Sequence, residues 1–212
     1  HNGYYKIEWY SMRGSLGNRV YFFFLMWVAV VLSGCICKSN DGKTSEMQEF
    51  DSFFGAHVDS VATAPRWMRT QSLQRMKSAK DSLVQYNYLS IILKTCLATS
   101  DIDSAQLLIR QIESFAGRQP FSHRLADLQS ECFNMKGNIY SRKGYIDSAA
   151  VCFRNAYELR LQGTKLEVIP DILINLADAN NHLGRLDMGA FWYRKALLIC
   201  DSLNMPSDKK FP

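Results

Sequence analysis

The chain has little of what a catalytic or cofactor-binding protein usually carries. Its four histidines, His1, His57, His123 and His182, are scattered. None pairs with an Asp or Cys at a recurring helical spacing, so no catalytic relay is written into the pattern. There is no Gly-rich phosphate loop, no Gly-x-Ser-x-Gly and no pair of carboxylates inside an otherwise apolar run. Six cysteines follow no metal spacing: Cys35-Ile-Cys37 is too tight for a zinc knuckle, and Cys96, Cys132, Cys152 and Cys200 lie far apart without histidine pairs. The last four read as small apolar residues on helices, with a Cys152–Cys200 disulfide open to the chain in an oxidising compartment. These absences predict a non-enzyme with no cofactor and no metal.

Charge of one sign is also lacking. The formal net charge of the 212 residues is only +5. Lys6, Arg13 and Arg19 against Glu8 alone put +2 of it in residues 1–34, and the remaining 22 basic and 19 acidic residues nearly balance. No basic stripe with interleaved aromatics is present, which removes the electrostatic case for nucleic acid. Hydrophobic residues at 47% and charged residues at 21% exclude global disorder.

Apolar runs of bilayer length are missing too. Val20 to Leu32 holds thirteen residues without a charge. At 1.5 Å per residue they cover about 20 Å, against a hydrocarbon core of roughly 30 Å. With Arg13 and Arg19 before it and Ser33, Gly34 and Cys35 after it, the run has the order of a secretory signal. Extended to Cys37 it would make a marginal span, an uncleaved anchor. Leu32-Ser33-Gly34-Cys35 resembles the lipobox of bacterial lipoproteins. The resemblance implies cleavage after Gly34 and lipidation of Cys35, whose thiol carries the diacylglycerol. Met12 stands where a 23-residue signal peptide would start, so residues 1–11 are expected to be upstream sequence and 12–34 the signal.

Polar, Gly- and Ser-bearing Lys38–Ser45 follows, and residues 35–65 are expected to be a flexible tether. Within it Phe50, Phe53, Phe54 and Val58 can share one helical face, and Pro65 bounds an element. Residues 66–85 are expected to form a helical N-terminal cap.

From there the chain repeats itself. Ser100-Asp-Ile-Asp-Ser-Ala105, Gly144-Tyr-Ile-Asp-Ser-Ala149 and Gly184-Arg-Leu-Asp-Met-Gly189 stand 44 and 40 residues apart, each between two helical patterns. Such a period marks an all-α, right-handed solenoid of antiparallel helix pairs. Aligned on these turns, the middle copy has Phe133, Gly137, Tyr140, Gly144, Ala149, Phe153 and Ala156. The third has Leu173, Leu176, Ala177, Gly184, Gly189, Tyr193 and Ala196, and the first, more degenerate, Leu89, Ile92, Ser100, Ala105, Ile109 and Ile112. This order resembles the tetratricopeptide repeat, over three copies at 86–119, 130–163 and 170–203 within 86–212.

Each position has a steric reason. Gly137 and Ala177 are small where paired helices cross, opposite Ala149 and Gly189. Gly144 and Gly184 end a first helix where a left-handed residue is needed. Asp103-Ser104 and Asp147-Ser148 are expected to cap the second helices, and Phe153 and Tyr193 to fill the space between pairs. The proline that usually closes the repeat is absent, and Asn180 replaces the aromatic found at Tyr140. Another step of about 40 residues would open a repeat near residue 210, so the array is expected to be cut short.

The resemblance implies a concave face lined by the first helix of each pair, on which a protein or peptide partner lies. Its outward positions are Asn134, Asn138 and Ser141, then Asn175, Asp178, Asn181 and His182. Amides supply donors and acceptors together, which suits a peptide main chain. Asn138 and Asn175 fall where the carboxylate-clamp subclass has asparagines, and Asn134 stands where that subclass has a lysine. The expected function is a lipid-anchored protein-interaction scaffold of the bacterial envelope, periplasmic or surface-exposed. The rivals are the extracytoplasmic sensor region of a longer receptor kinase or transcriptional regulator, and an accessory subunit of an envelope or uptake complex.

Overall fold

The computed structural model describes residues 44–205. Cys35, the 12–34 signal segment and residues 1–11 lie outside them. Among the described residues there is no strand. Helices α1 Ser45–His57, α2 Ser60–Thr63 and α3 Pro65–Ser78 precede α4 Ser82–Ala98 and α5 Ile102–Ala116. Then come α6 His123–Arg142, α7 Ile146–Arg160, a 3-10 turn Leu166–Val168, α8 Ile169–His182 and α9 Leu186–Ser202. The chain is an all-α stack in which α4/α5, α6/α7 and α8/α9 form successive helix pairs.

The helices follow from their apolar spacing and their starts. In α4 Val84, Tyr88, Ile91, Ile92 and Cys96 are buried, the period-3.6 stripe of a helix covered by neighbours. Leu125, Leu128, Cys132, Met135 and Ile139 do the same in α6. Asp81 and Ser122 begin these two helices, their side chains accepting from the backbone N–H of Leu83 (2.8 Å) and Leu125 (3.1 Å). Pro170 sits in the first turn of α8, where its missing N–H is harmless.

The repeated turns share one geometry. Ser100, Gly144 and Gly184 are left-handed, with φ of 58°, 80° and 72°. One residue later the backbone N–H of Asp101, Tyr145 and Arg185 returns to the carbonyls of Cys96, Tyr140 and Asn180 at 2.8, 2.9 and 2.9 Å. That six-to-one bond closes the first helix. The second helix then starts two residues past the left-handed position in all three copies.

This register corrects the expected capping. Asp103-Ser104 and Asp147-Ser148 lie inside the first turn of α5 and α7, because the left-handed residue brings the helix start forward. Asp101 is the residue that caps α5, accepting from the Ser104 N–H at 3.2 Å. Tyr145 and Arg185 occupy the equivalent places without a side-chain cap. Asp103 and Asp147 still favour the positive end of the helix dipole, and Asp147 pairs with Arg185 of the next turn at 3.1 Å.

Three other expectations change. The tether reading of 35–65 is corrected from Ser45 onward: α1 buries Met47, Phe50 and Phe53 against Met68, Val84, Tyr88 and Ile91. The apolar face outweighs the polar stretch before it, and Thr44 caps the helix through the Met47 N–H at 3.2 Å. Helix α4 starts at Ser82 rather than at 86, because Asp81 supplies its cap. The Cys152–Cys200 disulfide is likewise corrected, since Cys96, Cys132, Cys152 and Cys200 are all free and buried.

Candidate functional site: the groove along the first helices

Helices α4, α6 and α8 place a polar stripe on one side of the stack. Asn87, Ser90 and Lys94 of α4, Asp127 and Glu131 of α6 and Asp171 of α8 line a shared hollow. Helical spacing carries the same stripe on through Asn134, Asn138 and Ser141 of α6 and Asn175, Asp178 and His182 of α8.

The hollow end is charged and largely satisfied. Arg160, 2% exposed at the last turn of α7, donates to Asp127 Oδ1 at 2.9 Å and to Ser130 Oγ at 3.1 Å, and lies 3.6 Å from Glu131 Oε2. Lys94 pairs with Glu131 at 3.1 Å. Asp127 also accepts from the backbone N–H of Thr164 (3.0 Å to Oδ2) and the Thr164 hydroxyl (2.6 Å), drawing the linker after α7 back on to α6. A Cβ at Gly163 would run into that carboxylate.

Charge follows from this packing. Burial alone would push the Glu131 carboxyl up, but Lys94 and Arg160 together outweigh it and hold it below the ordinary carboxylate range. Asp171, at the solvent-facing rim, is pushed up by desolvation and by the Glu131 charge. Burial, reinforced by Glu113, pushes the Cys132 thiol up to about 12, which keeps it un-ionised at neutral pH.

The residues read from the sequence divide into three groups. Asn134 is buried and accepts from the Asn175 side-chain amide at 3.0 Å, so these two clasp α6 to α8 instead of presenting free amides. The Tyr193 hydroxyl donates to Asp178, and Asn181 hydrogen-bonds Tyr193, so both face α9 of their own pair. Asn138 and Ser141 are half-buried on the remaining stretch of α6, and His182 is exposed.

The repeat positions are mostly interior: Ala149, Phe153, Ala156, Ala177, Gly189 and Ala196 are buried, while Tyr140 and Tyr193 are half-buried. At Gly137 a Cβ would lie 2.5 Å from Phe153 Cε1, so α6 and α7 approach as closely as they do only without one. Sequence reasoning missed the Lys94–Glu131–Arg160–Asp127 network. The signal within reach was Asp127 and Glu131, four residues apart on one face of α6. Among the described residues no group of His, Cys, Asp and Glu is arranged to hold a metal ion, and no helix is long and apolar enough to cross a membrane.

Residues 130–162 match the tetratricopeptide repeat model. The match runs from Ser130 on α6 to just past α7, and holds the Gly137–Phe153 crossing and the Gly144 turn. Such repeats generally bind protein partners and are generally not enzymes. No curated protein matches the chain. Among solved structures, the crystal structure of BtubC (BKLC) from P. vanneervenii is similar over 76% of this chain, at 18% identity and a TM-score of 0.49. The chain spans 59% of that chain's length.

Proposed function

We propose that the protein is a membrane-anchored interaction scaffold of the bacterial envelope, which holds a protein partner along the groove of α4, α6 and α8. The observation that carries this reading is the polar stripe itself. Past the Asn134–Asn175 clasp it continues as Asn138 and Ser141, half-buried side chains able to donate and accept. Backbone amides of an extended partner need that pairing, because a polar group buried unpaired costs roughly 1–3 kcal/mol. The anchoring part of the proposal rests on the apolar Val20–Leu32 run ending at Leu-Ser-Gly-Cys35.

A photo-cross-linking residue placed at 138 in the full chain, in its own membranes, should yield a discrete adduct with a partner protein. The same residue at 107, on the exposed outer side of α5, should yield none. Equal labelling from both positions would return Asn138 to a solvated helix face. For the anchor, Cys35→Ser should abolish acyl labelling and leave the precursor unprocessed; an unchanged mass with retained membrane association would rule the lipid out.

A further inference from the structure

Helix α1 lies against the stripe that the scaffold reading assigns to a partner, and the way it lies there defines the chemistry of that partner. Its Phe50 meets the Tyr88 ring edge-on, with centroids 5.0 Å apart at 82°. Lys94 places its ammonium 4.8 Å from the centre of the Phe54 ring. Asp51 takes Lys165 at 2.8 Å and Arg124 at 3.4 Å, partners from the linker before α8 and from the start of α6. One helical face carrying an aromatic, an acid and a second aromatic one turn later is thus answered by an aromatic and three cations drawn from three separate elements.

The fit is incomplete. A cavity of about 200 Å³ remains between Phe50, Phe54 and Val58 on one side and Asn87, Lys94 and Asp171 on the other. The hollow opens to solvent at Asp171, so it offers room for further side chains beside α1. Nε of Arg124 is buried with no hydrogen-bond partner, and Val58, which caps the C-terminal end of α1, is 49% exposed. After α1 the chain has only the one-turn α2 before Pro65 begins α3.

We propose that α1 is the resident occupant of a helix-binding site, and that the partner is an amphipathic helix presenting the same acidic–aromatic face, which exchanges with α1 and fills the cavity α1 leaves. The charge pattern fixes the chemistry: an incoming Asp or Glu replaces Asp51 between Arg124 and Lys165, and flanking aromatics replace Phe50 and Phe54 beneath Tyr88 and Lys94. This proposal rests on the groove being a partner site.

The test uses the full chain and a fluorescein-labelled peptide with the sequence of residues 44–58, read by fluorescence anisotropy. The unmodified chain should bind weakly, because its own α1 competes. Asp51→Lys turns α1 away from Arg124 and Lys165 and should raise peptide affinity at least about tenfold, the ratio that a 1.4 kcal/mol loss of competition produces. Phe54→Ala, which removes a half-buried ring, should give a smaller gain in the same direction and serves if Asp51→Lys fails to fold. Adding Lys165→Glu to Asp51→Lys should cancel the gain. Unchanged affinity in both single variants with native helicity would overturn the exchange, and so would dimers of Asp51→Lys that exclude the peptide, since the occupant would then be a second copy. Peptide exchange that fails while cross-linking from position 138 persists overturns this inference alone; loss of the cross-link as well removes the scaffold reading with it.

Discussion

Helices α6 to α9 and helix α1 bury their apolar faces by different means. In the pairs, backbones come close. Gly137 lets the Phe153 ring lie on α6, Ala149 and Ala177 are fully buried, and left-handed turns at Gly144 and Gly184 close the first helix of each pair by a main-chain hydrogen bond. Helix α1 is held instead by long side chains: Phe50 on Tyr88, Asp51 on Arg124 and Lys165, and Glu46 accepting from the Lys80 and Asp81 N–H groups at 3.0 and 2.8 Å. The pairs are fixed by residues that cannot be enlarged, and α1 by residues that can be re-partnered.

The sharpest way to break the contrast is Arg160→Ala. It leaves the buried Asp127 carboxylate without its cation and Glu131 with Lys94 alone, so a loss of about 3–5 kcal/mol is expected in urea unfolding. Gly137→Ala should cost about 1–3 kcal/mol by forcing the Phe153 ring off α6; a neutral result would mean the crossing is looser than its 2.5 Å approach implies. Asp51→Lys, by contrast, acts on the docking of α1 and should lower global stability by about 1.4 kcal/mol, the loss that the tenfold gain in peptide affinity reports, while hydrogen exchange within α1 accelerates. The smallest change runs the other way. Ser100 holds the left-handed place at which the two later copies have glycine, so Ser100→Gly should be neutral to stabilising, by up to about 1 kcal/mol.

Acid tests the same network without a mutation. The folded state holds Glu131 below its ordinary pKa, so its contribution is fully present above about pH 4.3 and is lost as pH falls from there through the lower folded value. Unfolding midpoints in urea should therefore be flat from pH 7 towards that point and fall below it, and Glu131→Gln should flatten the acid limb.

What the sequence made legible is what is local. The turn at Ser100, Gly144 and Gly184 recurs in neighbouring residues, and a left-handed glycine there needs no knowledge of the rest of the chain. Capping was misplaced by two residues, because the left-handed residue sets the helix start and the conspicuous Asp-Ser pair then falls inside the helix. The asparagines of α6 and α8 looked free because Asn134 and Asn175 are 41 residues apart in sequence; only the stacking of the pairs shows that they bond to each other. Helix α1 reads as tether in the sequence for the same reason. Its aromatic face was visible, but Tyr88, Arg124 and Lys165, which give that face its value, lie up to 114 residues away.

The contrast between closed elbows and side-chain grips also sets how the molecule yields to force. A pull applied through the residues ahead of Thr44 reaches α1 before any repeat, and meets rings and ion pairs that separate one at a time. The helix pairs behind it are interlocked by close-packed side chains, the Phe153 ring on Gly137 among them. Tension on the N-terminal side is therefore spent first on lifting α1 from the groove, which bares the surface beneath it.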